Sequence, residues 1–436
     1  MSQPVDPVEG GRAVEEPVPP RPRRGRAIDT TPLRNPSYRR LFGGVAATML
    51  GQQMTLVAVP FQVYALTRSS LLVGVTSIVA LVPLIVFGLL GGAIADAMDR
   101  RRLMLITSTG AAVTSTLLAV QALLPGGGNL AVLWVLAACV SGFAAVNQPT
   151  RSAVIPALVG PEGVAGANAL AMTVRQAGVI VGPLLAGVLI GVGDLFLAYT
   201  VDAVGFVLAV LLLRGLPALP PGHAAGPLRL RSAVRGVGEG FAFLRTQPVL
   251  LMTFVVDIIA MMFAWPQAVF PELSQTRFAE SPNSLGWLFA GVSLGALAMG
   301  LTSGWVSRVD RQGAVVLGAI VVWGLAIIGF GLAPALWVAV LCLALAGAGD
   351  MVSAVLRTSM LQLAAPEGMR GRMQGVFIVV VAGGPRLGDL RAGALASAAS
   401  VGVAMVSGGV VVVVAMAVVA LAVPSFRLFR ASRSVA

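Results

Sequence analysis

The chain has 436 residues, of which 57% are hydrophobic and 11% are charged, and its mean hydropathy is +0.90. A soluble globular protein carries about 25% charged residues, so this composition excludes a soluble fold and indicates a membrane protein. The net charge of +12 comes from Arg alone. Because these Arg residues lie in gaps between apolar runs, we interpret them as determinants of membrane orientation and not as nucleic-acid ligands.

Taken in chain order, the sequence begins with residues 1–38, which are rich in Pro, Arg and Glu and predict a disordered cytoplasmic tail. Twelve apolar runs follow, long enough to cross a bilayer as helices. They lie at 41–65, 71–96, 103–125, 130–152, 165–191, 195–213, 249–271, 284–307, 313–333, 336–357, 373–397 and 401–423. The run at 373–397 is the weakest of these predictions because it contains charges.

These runs predict an N-terminal six-helix half over 39–214 and a C-terminal half over 249–423. A cytoplasmic central loop over 215–248 joins the two halves, and 424–436 forms a cytoplasmic tail. With the N-terminus inside, Arg residues concentrate in the alternate loops that face the cytoplasm, and the other side receives few. The positive-inside rule therefore places both termini in the cytoplasm of a protein that crosses the plasma or inner membrane many times.

The two halves share short matching segments at offsets of 202 to 206 residues. Leu133-Trp134-Val135 matches Leu336-Trp337-Val338, and Pro161-Glu162-Gly163 matches Pro366-Glu367-Gly368. Coincidence is the alternative in a chain so rich in Ala, Gly, Val and Leu. Four matches in order favour duplication of a six-helix unit, and parallel six-helix repeats are typical of one large transporter class. The expected fold is an all-α membrane protein with about twelve transmembrane helices in two halves.

The loop after the second run contains Gly92, Asp96, Arg100 and Arg101. It resembles the signature loop of the major facilitator superfamily, and this resemblance implies a cytoplasmic gate between the halves. A degenerate copy follows the eighth run, and Arg308 stands there in place of the aspartate. The alternative is that both clusters only anchor the topology. The predicted gate residues are Gly92, Asp96, Arg100, Arg101, Arg151, Arg308 and Arg311.

The fifth run contains Gly178, Gly182 and Pro183, which we expect to pack and bend this helix. Their pattern resembles the glycine-proline motif of superfamily exporters. The resemblance spans residues 36–423 and can be assigned to one branch of the superfamily. The residues that indicate this branch are Arg151 with Pro156, and Arg357 with Arg370-Gly371-Arg372. They resemble the exporter branch of enterobactin-type siderophore exporters and macrolide or multidrug efflux proteins.

Ionisable side chains within the apolar runs are costly, so each one is a candidate for function. Three acids are candidates for proton coupling, namely Asp257, Asp350 and Asp389. The alternatives are a structural ion pair or a position near the water edge. Arg386 and Asp389, three residues apart, can pair on one helical face. The candidates for substrate contacts or intramembrane charge are Gln52, Gln53, Arg175, Arg386 and Arg391. Gln52 and Gln53 could equally bond to neighbouring helices.

These features predict a secondary active transporter, not an enzyme, that exports a small and partly apolar molecule. The chain has no Lys, so it lacks an ATP-binding P-loop, and a proton gradient is the expected energy source. We expect a monomer in the lipid bilayer, with protons and a small molecule as partners. A single His and two Cys predict no metal site and no cofactor. A nutrient importer, or a receptor with the same fold, stays open as an alternative.

Overall fold

The computed structural model describes residues 29–220, 230–364 and 370–430. These residues form helices joined by short turns. The helices are α1 Pro36–Thr67, α2 Ser70–Ala97, α3 Arg100–Ala122, α4 Leu130–Gly191, α5 Leu195–Arg214, α6 Leu230–Thr246, α7 Pro248–Ala264, α8 Phe270–Gln275, α9 Ser284–Leu301, α10 Gln312–Leu332, α11 Leu336–Ala364, α12 Arg370–Ala398, α13 Val401–Ala422 and α14 Pro424–Arg427. The predicted tail up to residue 28 and the second Pro-Glu-Gly turn lie outside the described residues.

Ten helical segments in the described ranges are long and apolar enough to cross a membrane. One of them, α4, has 62 residues and is interrupted at Gly160, where φ is +70°. A positive φ suits glycine, and the break divides α4 into a first arm over 130–159 and a second arm over 161–191. The helix α12 is not among these ten because its charged residues make it less apolar, although its 29 residues are long enough to cross a membrane. Twelve crossings in two six-helix halves result, which confirms the predicted fold class.

Two segments that we assigned to the tail and the central loop contain helix. The first helix begins at Pro36, because Asn35 Oδ1 accepts hydrogen bonds from the amides of Ser37 and Tyr38. Residues 230–246 form α6, whose apolar side chains recur at helical spacing. One of them, Leu244, is fully buried in a cluster with residues of α7 and α12. The amphipathic pattern of α6 is visible in the sequence, but its many Arg, Gly and polar residues are also typical of a loop.

Glycines set the closest helix contact of the N-terminal half, between α1 and α5. A Cβ at Gly51 would lie 2.3 Å from the Cα of Asp202, and a Cβ at Gly205 would lie 2.4 Å from the carbonyl oxygen of Ala47. At this contact the fully buried Asp202 accepts hydrogen bonds of 2.8 Å from the hydroxyls of Thr55 and Ser115. Asp202 thus joins α1, α3 and α5 in the core of this half.

The two halves contact each other along α2 with α12 and along the second arm of α4 with α9. The second contact lies toward the face formed by the turns at 68–69, 192–194 and 399–400, which we call the opposite face. The first contact begins at this face and extends along α2 as far as Leu89, where a Cβ at Gly375 would lie 3.9 Å from Leu89 Cδ2. The terminal face carries residues 29 and 430. Small residues permit the approach, since a Cβ at Gly74 would lie 2.6 Å from the carbonyl oxygen of Asp389. Gly187 and Gly286 allow the second contact in the same way.

We expect Gly51→Ala to lower the unfolding free energy by about 1 to 3 kcal/mol, because the added methyl must force α1 away from α5. The measurement is thermal unfolding of the purified protein in detergent. Gly318→Ala is the matched control, since no atom lies within 4 Å of a Cβ at that position. Equal melting temperatures for the two variants would contradict this packing.

Candidate functional site

Three adjoining cavities run across the molecule between and within the halves. The N-half cavity has a volume of about 490 Å³, the central cavity about 380 Å³ and the C-half cavity about 220 Å³. Gln52 lines both the N-half and the central cavity, whereas Trp265 and Pro385 line both the central and the C-half cavity. The three spaces therefore adjoin one another, and we treat them together as the candidate site.

The N-half cavity lies between α1 and the two arms of α4 and extends to Tyr38 near the terminal face. Its polar lining combines amides, a hydroxyl and two cations. These residues are Gln52, Gln53, Asn147, Gln148, Arg151, Ser152, Asn168 and Arg175. None of the residues lining this cavity is an Asp or a Glu. The predicted candidates Gln52, Gln53 and Arg175 thus meet in one space with Arg151, and this space carries positive charge.

Asp389 is the carboxylate of the central cavity and is only 6% exposed. It accepts a hydrogen bond of 2.7 Å from Ser77 Oγ and another of 3.0 Å from the amide of Ala268. Since Ser77 belongs to α2, the first bond crosses from one half to the other. The same acid therefore faces the cavity and ties the two halves together.

Arg386 also lines the central cavity, but it does not form the predicted pair with Asp389. Its Nη1 donates to the carbonyl of Ala382 on its own helix, at 3.0 Å. The oxygens of Asp389 are engaged by groups from other elements, and the arginine turns back along α12. The three-residue spacing allows a pair, but in the structure Asp389 bonds to Ser77 and to the amide of Ala268 instead.

A buried ion pair occupies the C-half cavity. Arg357 Nη1 lies 2.6 Å from Asp257 Oδ1, and Arg357 Nη2 lies 3.9 Å from Asp350 Oδ1. The Nε of Arg357 also donates to Ser353 Oγ at 3.1 Å. Two of the predicted proton-coupling acids therefore flank one arginine. Arg357 was not among the predicted site residues, although it stands 206 residues after Arg151, within the offsets of the internal repeat.

The repeat extends into these cavities. Thr48 and Gln52 of α1 stand 205 residues before Thr253 and Asp257 of α7, and Arg151 stands 206 residues before Arg357. The C-terminal half thus has a carboxylate where the N-terminal half has an amide. Arg151 makes a contact of 3.5 Å with Thr48 Oγ1 and has no carboxylate partner among the described side chains. Corresponding arginines are therefore neutralised in one half only.

The predicted gate residues of the first loop bond within the N-terminal half. Arg100 Nη1 donates to the carbonyl of Ala153, and Arg101 Nη2 donates to the carbonyl of Arg214. A Cβ at Gly92 would meet no atom within 4 Å, because it is the neighbouring Gly91 that packs against α4. The side chain of Asp96 lies outside the described part of the chain, so its gating role stays a prediction.

The second predicted gate cluster lies on the terminal face. Arg308 ends a short 3-10 helix over Ser303–Arg308, and Arg311 immediately precedes α10. Both side chains are exposed. A gating role for this cluster also stays a prediction.

The predicted packing residues of the second arm of α4 lie directly on α1. A Cβ at Gly178 would lie 2.6 Å from Met49 Cγ, and a Cβ at Gly182 would lie 2.5 Å from Gln53 Cβ. Pro183, the next residue, is buried, and a Cβ at Gly286 of α9 would lie 2.7 Å from its carbonyl oxygen. These small residues bring α4 against both α1 and α9.

Arg391 is the predicted intramembrane cation that does not line the cavities. It donates to the carbonyl of Phe263, to the carbonyl of Ala404 at 3.2 Å and to Ser407 Oγ at 3.0 Å. Its guanidinium also lies 5.4 Å from the centre of the Phe263 ring. Arg391 therefore connects α7, α12 and α13 and satisfies their polar groups.

Two six-helix halves, with charged cavities at and beside their interface, define a multi-pass membrane transporter. The chain belongs to the major facilitator superfamily, in the family described as transmembrane secretion effector, whose sequence model matches residues 28–433.

Curated relatives include the enterobactin exporters of Shigella boydii serotype 4 and Citrobacter koseri. Each is 30% identical over 361 residues, which cover 83% of this chain and 85% of the relative.

Solved structures share the fold at low identity. The nucleoside transporter NupG superposes with a TM-score of 0.69 at 14% identity, over 90% of this chain and 100% of that one. An inward-facing bacterial homologue of the lysosomal transporter Spinster gives a TM-score of 0.67 at 15% identity, over 93% and 98% of the two chains. These likenesses support the fold alone.

We expect Asp257→Asn to cost about 3 to 5 kcal/mol of stability, because it leaves Arg357 buried without its closest counter-charge. Thermal unfolding of the single variants and of the double variant Asp257→Asn/Arg357→Gln measures the coupling. The double variant should be more stable than Asp257→Asn alone. Strictly additive losses would contradict a direct ion pair.

Proposed function

We propose that this protein is a proton-driven exporter of a small, partly apolar, siderophore-like molecule that works by alternating access. It acts as a monomer in the inner membrane, with both termini in the cytoplasm. The observation that carries the proposal is the position of Asp389, which lines the central cavity and holds α2 to α12 through Ser77.

Contacts on the opposite face support alternating access. Arg68 Nη1 donates to Gln275 Oε1, and Ser70 Oγ donates to Glu272 Oε2, each at 2.5 Å and each between the halves. The N-half cavity meanwhile extends toward the terminal face. With the positive-inside orientation the terminal face is cytoplasmic, so this cavity is placed to exchange a molecule with the cytoplasm, as alternating access requires.

The surroundings of Asp389 support coupling to protons. Adding a proton to a carboxylate removes its charge and changes the hydrogen bonds it can accept. At Asp389 such a change acts on the bond from Ser77 and hence on the contact between the halves. Asp257 and Asp350 remain candidates, but Arg357 already compensates the charge of Asp257.

The substrate class rests on the relatives and on the cavity lining. The curated relatives are named as enterobactin exporters. The central cavity mixes apolar groups such as Leu56, Val59 and Phe289 with the polar groups of Gln52 and Thr55. A pocket of this kind suits a molecule with apolar and hydrogen-bonding parts.

We expect everted membrane vesicles that contain this protein to accumulate radiolabelled enterobactin when they are energised, and a protonophore to abolish the accumulation. Asp389→Asn should reduce gradient-driven uptake to the background of empty vesicles, because the variant cannot exchange a proton at that position. Glu280→Gln is the matched control, since it removes the same charge from an exposed turn.

Uptake that survives the protonophore would contradict proton driving. Normal gradient dependence in Asp389→Asn would contradict the role of that residue. Accumulation in right-side-out vesicles instead of everted ones would indicate an importer.

A further inference from the structure

We propose that the N-half cavity is an anion-binding site that receives an acidic group of the transported molecule, a carboxylate or a phenolate. Arg151 and Arg175 are its cationic residues. The inference rests on the proposed export function and specifies the chemistry of the molecule that is exported.

The two halves differ at the positions that face their corresponding arginines. Arg357 and Asp257 form a contact of 2.6 Å in the C-terminal half. The corresponding residues of the N-terminal half are Arg151 and Gln52, so the same arginine position faces a neutral amide. A half-buried guanidinium keeps its charge at any accessible pH. Its counter-charge must therefore come from solution ions or from a ligand.

The described lining of the N-half cavity carries a positive charge. Arg175, which is exposed, adds a second cation from the second arm of α4, and the described residues that line the cavity include no carboxylate to neutralise either arginine. The amides of Gln53, Gln148 and Asn168 add hydrogen-bond donors around the same space. At the half-buried Arg151, an opposite charge a few ångströms from the guanidinium is bound more strongly than in bulk solvent. This combination selects an anion over a neutral molecule of the same shape.

Gln52 lines both the N-half cavity and the central cavity, so the two cavities adjoin. A molecule whose acidic group lies near Arg151 can extend its apolar part past Gln52 toward Leu56 and Phe289. The N-half cavity, about 490 Å³ in volume, has room for such a group without rearrangement. The N-half cavity therefore borders the central cavity that the proposed function assigns to the substrate.

The test compares an aromatic acid with its neutral isostere, 2-naphthoate and methyl 2-naphthoate, in binding to the purified full-length protein without a gradient. We expect the wild type to bind the acid more tightly than the ester. Arg151→Gln and Arg175→Gln should each weaken acid binding about tenfold to a hundredfold. They should also remove the preference for the acid over the ester, and thermal unfolding checks that the variants are folded. Arg427→Gln, an exposed arginine in the other half, is the matched control.

Gln52→Glu provides the reverse test, because it supplies Arg151 with the counter-charge that Arg357 already has. We expect this variant to lose the preference for the acid over the ester. Equal affinities for acid and ester in the wild type, or unchanged preference in both arginine variants, would overturn the anion site. Because no gradient or transport is involved, this result is independent of the vesicle assay. Failure of export with a normal acid preference would overturn only the proposed function.

Discussion

An ionisable side chain at the depth of the hydrocarbon costs about 3 kcal/mol or more, unless a partner or a water-filled space compensates it. This constraint sorts the intramembrane charges of the protein into two groups. Asp202 is held by two hydroxyls, and Arg391 is held by backbone carbonyls and Ser407. Such residues are satisfied within the packed helices and contribute to architecture. Arg151 and Asp389 instead line cavities, where a ligand or a proton can reach them.

The internal duplication makes this division sharper, because it supplies a built-in comparison. One difference, Gln52 in one half and Asp257 in the other, gives Arg357 a close counter-charge that Arg151 lacks among the described side chains. In the C-terminal half the charges cancel across 2.6 Å, and the cavity there is about 220 Å³. In the N-terminal half the cation remains, and the cavity is larger. Corresponding positions of the two halves thus line two chemically different cavities.

Much of the architecture follows from the sequence, because the length and apolarity of a helix decide whether it crosses a bilayer. The charged run at 373–397, the weakest prediction, does form α12. The continuous helical course of α4 up to Gly160 was not predicted, because Arg151 and Pro161 resemble the ends of a transmembrane segment. The partners of individual side chains were more difficult to predict from the sequence. Whether Asp389 bonds to Ser77 or to Arg386 depends on the rotation of α12 against α2, and spacing along one helix does not encode that rotation.

The contact between α2 and α12 explains how one carboxyl group can affect the whole molecule. Gly74 lies against the backbone at Asp389, and a Cβ at Gly393 would lie 2.1 Å from the carbonyl oxygen of Ser70. The two helices therefore touch backbone to backbone next to the Ser77 to Asp389 bond, on its side toward the opposite face. Closely packed interfaces of this kind have discrete arrangements and do not deform continuously. A change in the hydrogen bonds of Asp389 acts where α2 and α12 are closely packed. We therefore expect the two helices to respond by separating.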